Sequence, residues 1–103
     1  MPTAVRDDAD ESRYEITVDG EVAGFVEYHL HDDVIAFLHT EVDRQHQGEG
    51  LAKALIREVL DDARKRGLKV QPFCPFVRRF IGQNRDYLDL VPQDEWVRFG
   101  LTF

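Results

Sequence analysis

The sequence predicts a mixed α/β domain of the α+β kind: an antiparallel meander of three strands, a crossover helix, a short parallel strand and a second helix. Three observations carry that expectation. Runs rich in alternating and β-branched residues, separated by turn residues, fill positions 13–42. The one long stretch of helical periodicity follows at about 50–66. A short apolar run leading into Cys74-Pro75 comes next, and a strand reached through a helix pairs parallel through a right-handed crossover.

The first twelve residues, MPTAVRDDADES, are polar and acidic with no period, so residues 1–12 read as a disordered tail and 13–103 as a single domain. Arg13 to Val18 is strand-like, and Asp19-Gly20 supplies a hairpin turn that tolerates positive φ. A second strand runs from Glu21 to Leu30, His31-Asp32-Asp33 turns the chain, and a third strand spans Val34 to Val42. On a regular pleat Ile35, Phe37, His39 and Glu41 share one face, while Val34, Ala36, Leu38, Thr40 and Val42 share the other. Both faces are mostly apolar, so this strand is expected to be central and covered on each side.

From about Gly50 to Arg66, Leu51, Ala52, Leu55, Ile56, Val59, Leu60 and Ala63 form one stripe and charged residues the opposite one. Lys65 and Arg66 suit the negative helix end, and Gly67 suits a left-handed cap. A strand is expected from Leu68 to Phe73. Pro75 can occupy the first position of the second helix, where no N–H is needed, with Cys74 as N-cap and Phe76, Val77, Phe80 and Ile81 buried. Asn84 to Asp86 ends that helix, and Tyr87, Leu88, Leu90 and Val91 suggest a short packed segment. The tail from Trp96 to Phe103 carries enough large apolar residues to dock on the body or on another subunit, giving a monomer or weak homodimer.

With 103 residues there is room for one modest core. Thirteen basic against 20 acidic residues give a net charge of −7, which argues against nucleic-acid binding and favours cationic or neutral substrates. The single cysteine cannot form an intramolecular disulfide, and no basic-then-apolar leader is visible, so a cytoplasmic location is expected. No apolar run approaches the roughly 20 residues that cross a bilayer, so no membrane association is expected. His29 and His31 lie near Asp32 and Asp33, but no further spaced Cys/His set completes a metal site, and none is predicted.

Chemistry concentrates in Gln45–Lys53, Gln-His-Gln-Gly-Glu-Gly-Leu-Ala-Lys, directly after an apolar strand and opening the amphipathic helix. The first turn of a helix has amides with no carbonyl partner, and aligned peptide dipoles add positive potential there. Gly48 and Gly50 remove side chains where the backbone must turn and approach an anion. The residues are not those of a Walker A loop, because Leu51 and Ala52 follow Gly50 in place of Lys and Ser/Thr. They are not those of a dinucleotide fingerprint either, because Lys53 stands where Gly or Ala is required. Arg44, His46, Lys53 and Arg57 are basic side chains near this loop that could meet a bound anion, with a solvated helix face as the plain alternative.

What remains, Gln45-x-x-Gly48-x-Gly50-Leu51-Ala52, matches the coenzyme A signature of the GNAT acetyltransferase superfamily. More particularly, the chain resembles the very small N-acetyltransferase domain-containing proteins, through His39-Thr40-x-Val42, the glycine loop and Pro72-x-Cys74-Pro75-Phe76-Val77, over about 14–87. The resemblance implies a GNAT-like fold in which the third strand and the short strand splay apart. It also implies acetyl-CoA as co-substrate and a small amine, or a peptide or protein amine, as acceptor. Coenzyme contacts are expected from Thr40, Val42, Gln45, Gln47, Gly48, Glu49, Gly50, Leu51, Ala52, Lys53 and Pro75.

Cys74 is the suspected nucleophile. A thiol at a helix N-terminus with Arg78 and Arg79 about one turn away sits where a thiolate is stabilised, although small buried cysteines also simply pack. A thiolate there would form a transient S-acetyl enzyme. His39 and Glu41 are candidate bases, with a structural histidine and a solvated carboxylate as the plain alternatives. Tyr87 is a general-acid candidate by family analogy and otherwise a packed tyrosine. A non-catalytic acyl-CoA-binding module is the alternative function.

Overall fold

The computed structural model describes residues 2–48 and 50–101. Five strands and two helices follow one another as β1 (Thr3–Asp8), β2 (Arg13–Val18), β3 (Glu21–His31), β4 (Val34–Val42), α1 (Leu51–Lys65), β5 (Lys69–Pro72) and α2 (Pro75–Gln83). They form one sheet in the order β1-β2-β3-β4-β5, antiparallel except for the parallel β4–β5 pair. The hairpin at Asp19-Gly20 has both residues at positive φ, +52° and +86°, which is the backbone a twisted two-residue turn requires.

The helices cover one face of the sheet. Tyr14, Val26, Tyr28, Ile35 and Phe37 share that face through the strand register and join one core with Leu55, Ile56, Val59 and Leu60 of α1 and Val77 and Ile81 of α2. Each such fully buried side chain contributes about 1.5–3 kcal/mol, which is why an apolar stripe is enough to seat a helix here. At the rim, the Tyr14 hydroxyl donates to Asp62 Oδ2 of α1 at 2.5 Å, and Tyr28 donates to Asp7 Oδ1 at 2.6 Å. Among the described residues, no helix is long and apolar enough to cross a membrane.

Two expectations are corrected. Residues 3–8, read as part of a disordered tail, form an edge strand in register with β2 from Thr3–Val18 to Asp8–Arg13. Its apolar contribution is slight, so hydrophobic pattern did not reveal it. Instead Asp7 accepts from Tyr28, and Arg6 Nε donates to Glu15 Oε1 at 2.7 Å. Glu15 is 1% exposed and also takes a 2.8 Å bond from Arg13 Nε. Burial pushes its carboxyl up, but the bonds and charges of Arg6 and Arg13 outweigh that and hold it below the usual carboxylate range.

The second correction concerns the faces of β4. Phe37 pairs with Tyr28 and His39 with Glu27, so Leu38 is an extra, unpaired residue. A bulge of this kind exchanges the two faces for every residue after it. Thr40 and Val42 therefore join Ile35 and Phe37 on the helix side, while His39 and Glu41 project from the opposite side beside Phe25 and Glu27. That opposite surface is not covered along this stretch: the His39 and Glu41 side chains are 53% and 60% exposed. The C-terminal segment docks elsewhere, with Phe99 and Leu101 buried and Phe99 stacked edge-on to Phe73 at 5.1 Å, while Val97 stays exposed. Thr102 and Phe103 lie outside the described residues.

Candidate active site

The parallel pairing of β4 with β5 is short, running from Val34–Lys69 to Phe37–Pro72. Its last rung is the Cys74 N–H donating to the Phe37 carbonyl at 2.8 Å. Beyond it β4 continues to Val42 paired with β3 alone, its other edge left open because Pro72 ends β5 and Pro75 starts α2. The result is a wedge between two diverging chains. Pro75 at N1 accounts for the sharp departure, since its ring suits the first helical position and cannot extend a strand ladder.

At the apex sits Cys74, the N-cap of α2, 3% exposed, with Sγ 3.3 Å from Thr40 Oγ1. The bulge at Leu38 makes this contact possible by turning Thr40 to the helix side. No hydrogen bond joins the thiol to Arg78 or Arg79 among the described residues.

At the mouth of the wedge the chain makes a single 3-10 turn, Arg44–His46, and Gln47 Nε2 donates back to the Val42 carbonyl at 3.3 Å. Gly48 and Gly50 then adopt φ of +87° and +74°, which other residues reach only under strain. A side chain on either would meet no atom within 4 Å, so the space in front of the loop is open. The N-cap of α1 is Gly50, which has no side chain to cap it, and the ladder begins with the Ala54 N–H on the Gly50 carbonyl at 3.1 Å. The amides of Leu51, Ala52 and Lys53 therefore lack acceptors within the helix. Open space and the sign of the potential both suit this helix start to an anion.

A hollow of about 380 Å³ faces the loop, lined by Val42, His46, Gln47, Gly48, Gly50 and the first turn of α1, with Phe76 as its aromatic wall. A second hollow, about 580 Å³, lies across the end of β4 and is lined by Arg13, Phe25, Thr40, Glu41, Asp43 and Arg44, among others. Val42 and Gln47 wall both. Beside the second hollow, of which Glu41 and Phe25 are walls, His39 Nε2 lies 3.1 Å from Glu41 Oε1, and the His39 ring stands edge-on to Phe25 at 6.3 Å.

The structure thus gathers Thr40, Val42, Gln47, Gly48, Gly50, Leu51, Ala52, Lys53 and Cys74 around the wedge and its mouth. Gln45 is exposed within the 3-10 turn and His46, not Gln45, lines the loop hollow. Pro75 faces a different depression with Arg78 and Phe99. Glu49 lies outside the described residues. His39 and Glu41 sit together but on the face opposite Cys74. Tyr87 lies in the 3-10 segment Arg85–Leu90 and packs against the C-terminal half of α1: its hydroxyl donates to Asp61 at 2.8 Å, and burial followed by that bond raises its pKa. Of the basic residues near the loop, Arg44 faces the second hollow and the Arg57 guanidinium lies 5.4 Å from the centroid of the Phe80 ring. Sequence reasoning missed Phe76 as a wall residue, because its place on the helix suggested only core.

Comparison with known proteins bears on this geometry. The chain aligns with the ribosomal-protein-S18-alanine N-acetyltransferase from Escherichia coli at 27% identity and a TM-score of 0.54, over 56% of this chain and 38% of that one. Ribosomal-protein-alanine N-acetyltransferase from Brucella melitensis biovar Abortus 2308 aligns at 28% identity and a TM-score of 0.55, over 78% and 60%. The chain therefore spans less than two thirds of either enzyme. A GCN5-like putative N-acetyltransferase from Staphylococcus aureus shares the fold over 86% of this chain and 87% of its own, with a TM-score of 0.66 and 23% identity. No curated protein matches. A family model described as GCN5-related N-acetyl-transferase covers residues 13–90, which takes in β2 to the segment after α2, and the chain belongs to that family.

Proposed function

We propose that the chain transfers an acetyl group from acetyl-CoA to an amine, of a small molecule or of a peptide or protein, with Cys74 as the transient carrier. One observation supports this reading above the rest: the wedge between β4 and β5 has a bare helix start at its mouth and a thiol at its apex. Leu51, Ala52 and Lys53 amides hold the diphosphate at the mouth. The unpaired edge of β4 lines the path of the pantetheine arm and brings the thioester to Cys74.

Cys74 Sγ adds to the thioester carbonyl carbon, the bond from that carbon to the coenzyme sulfur breaks, and the thiol proton ends on the departing sulfur. Thr40 Oγ1, 3.3 Å away, holds the Cys74 sulfur in place. The acceptor enters from the second hollow, where Glu41, paired with His39 at 3.1 Å, takes a proton from its ammonium group. The free amine attacks the S-acetyl carbon, forming the amide and returning the thiol.

Intact mass after incubation with acetyl-CoA tests the proposal. One added acetyl group is expected on the protein, none on Cys74→Ala, and amine acetylation lost in that variant while coenzyme binding persists. Full turnover by Cys74→Ala removes the covalent route in favour of direct attack. Coenzyme affinity without transfer to any acceptor returns the chain to a binding module.

A further inference from the structure

We infer that Arg13 binds a carboxylate of the acceptor, so that the amine acetylated by this chain belongs to a zwitterion of the amino-acid class. This rests on the acetyl-transfer reading above and narrows its acceptor. Arg13 and Phe25 wall the hollow of about 580 Å³ at the end of β4, together with Glu41 and Asp43. Thr40, which touches the Cys74 sulfur, walls it too. Glu15, Phe25 and Glu41 lie in one row across β2, β3 and β4, and the head of Arg13 is drawn to that row by its Nε bond to Glu15 Oε2 at 2.8 Å. There it lies over the Phe25 ring, 4.7 Å from the centroid.

The way Arg13 is held is the second observation. An arginine that serves only as an ion-pair partner spends its terminal fork, as Arg64 does with Nη1 and Nη2 on the two Asp89 oxygens at 2.8 and 2.9 Å. Arg13 bonds through Nε alone among the described residues, which leaves both terminal nitrogens for a ligand. Its partner Glu15 is 1% exposed, and apolar packing at such a place serves stability as well as an ion pair does, so the distinct contribution of the carboxylate is to aim the guanidinium. Arg6 shares that carboxylate through its own Nε at 2.7 Å, but its side chain is 62% exposed and is not part of the hollow. Glu41 is paired with His39. The hollow therefore presents a fixed cation and an anion that do not pair with each other, about 10 Å apart by the two strand spacings that separate β2 from β4. An α-amino acid, with a hydrogen bond of about 2.8 Å at each end, spans such an interval.

Acetyl transfer by the full chain to free amino acids and to the matching amino-acid amides decides the matter. The amides have the less basic amine, more of it free at neutral pH, so intrinsic reactivity favours them. The wild-type protein is expected to use the acids with kcat/KM at least about tenfold higher, equivalent to about 1.4 kcal/mol. That advantage should vanish in Arg13→Gln, mainly through the acceptor KM, and persist in Arg6→Gln, which removes a partner of the same Glu15 carboxylate outside the hollow. Amides used as well as acids, or transfer to amines without a carboxylate alone, overturns the carboxylate site while leaving acetyl transfer intact. A preference that survives in folded Arg13→Gln overturns the role of Arg13. Transfer to no acceptor at all overturns both readings.

Discussion

A matched pair of glycine substitutions isolates the glycine loop from general backbone strain. Gly50 and Gly67 flank the two ends of α1 with φ of +74° and +67°, and a Cβ on either would meet no atom within 4 Å. Gly50→Ala and Gly67→Ala should therefore carry the same cost, that of holding an L-residue in the left-handed region, about 1–2 kcal/mol. For a domain of this size each kcal/mol lowers Tm by roughly 4–8 °C, so both variants should melt lower by similar amounts and remain folded at 25 °C. Coenzyme affinity should separate them. The Gly50 methyl enters the space before the bare amides of Leu51 to Lys53, displacing an anion from them, whereas Gly67 lies at the opposite helix end. Titration with coenzyme A should show a loss of at least about tenfold, about 1.4 kcal/mol, for Gly50→Ala and none beyond error for Gly67→Ala. Equal affinities in the two variants would refute anion binding by the loop.

Other consequences follow from the same structure. Because the Glu15 carboxyl is held below its usual range, its stabilisation is complete above the unfolded value of about 4.3 and is lost as pH falls through the lower folded value. Glu15→Gln should cost about 1–2 kcal/mol at pH 7, allowing for the solvent exposure of Arg6, and urea midpoints of the two proteins should draw together as pH falls below the usual carboxylate range. Tyr28, buried and donating to Asp7, has its pKa pushed up to about 12, so its contribution is whole below about 10 and disappears as pH rises through 12. Tyr28→Phe should cost about 1 kcal/mol at pH 7 and flatten the alkaline fall in stability, read by circular dichroism. His39→Gln should slow amine acetylation while the acetyl mark on Cys74 still forms and persists, visible by intact mass. Disappearance of the mark in that variant would contradict the division of labour between the two faces of β4.

Much of the architecture was legible because local chemistry and tertiary packing agree over most of the chain. Arg13–Val18 and Val34–Val42 emerge with their expected limits, and Cys74 and Pro75 take the N-cap and N1 positions their backbones favour. The parallel β4–β5 pair follows from the intervening helix. The edge strand β1 left little trace, since its ties to the sheet are a ladder and polar contacts such as Asp7 with Tyr28, which alternation of apolar residues does not report.

Local chain chemistry marked the glycine loop before α1, because paired glycines at a strand-to-helix junction meet a local requirement of backbone geometry, here φ of +87° and +74° at Gly48 and Gly50. What the neighbouring strand presents to that loop came from long-range packing. One unpaired residue, Leu38, exchanges the sides of β4, so Thr40 meets Cys74 while His39 and Glu41 project the other way. Such an insertion depends on the register with β3, a long-range relation in which the partner strand sets the pleat, and a period counted along β4 alone cannot contain it.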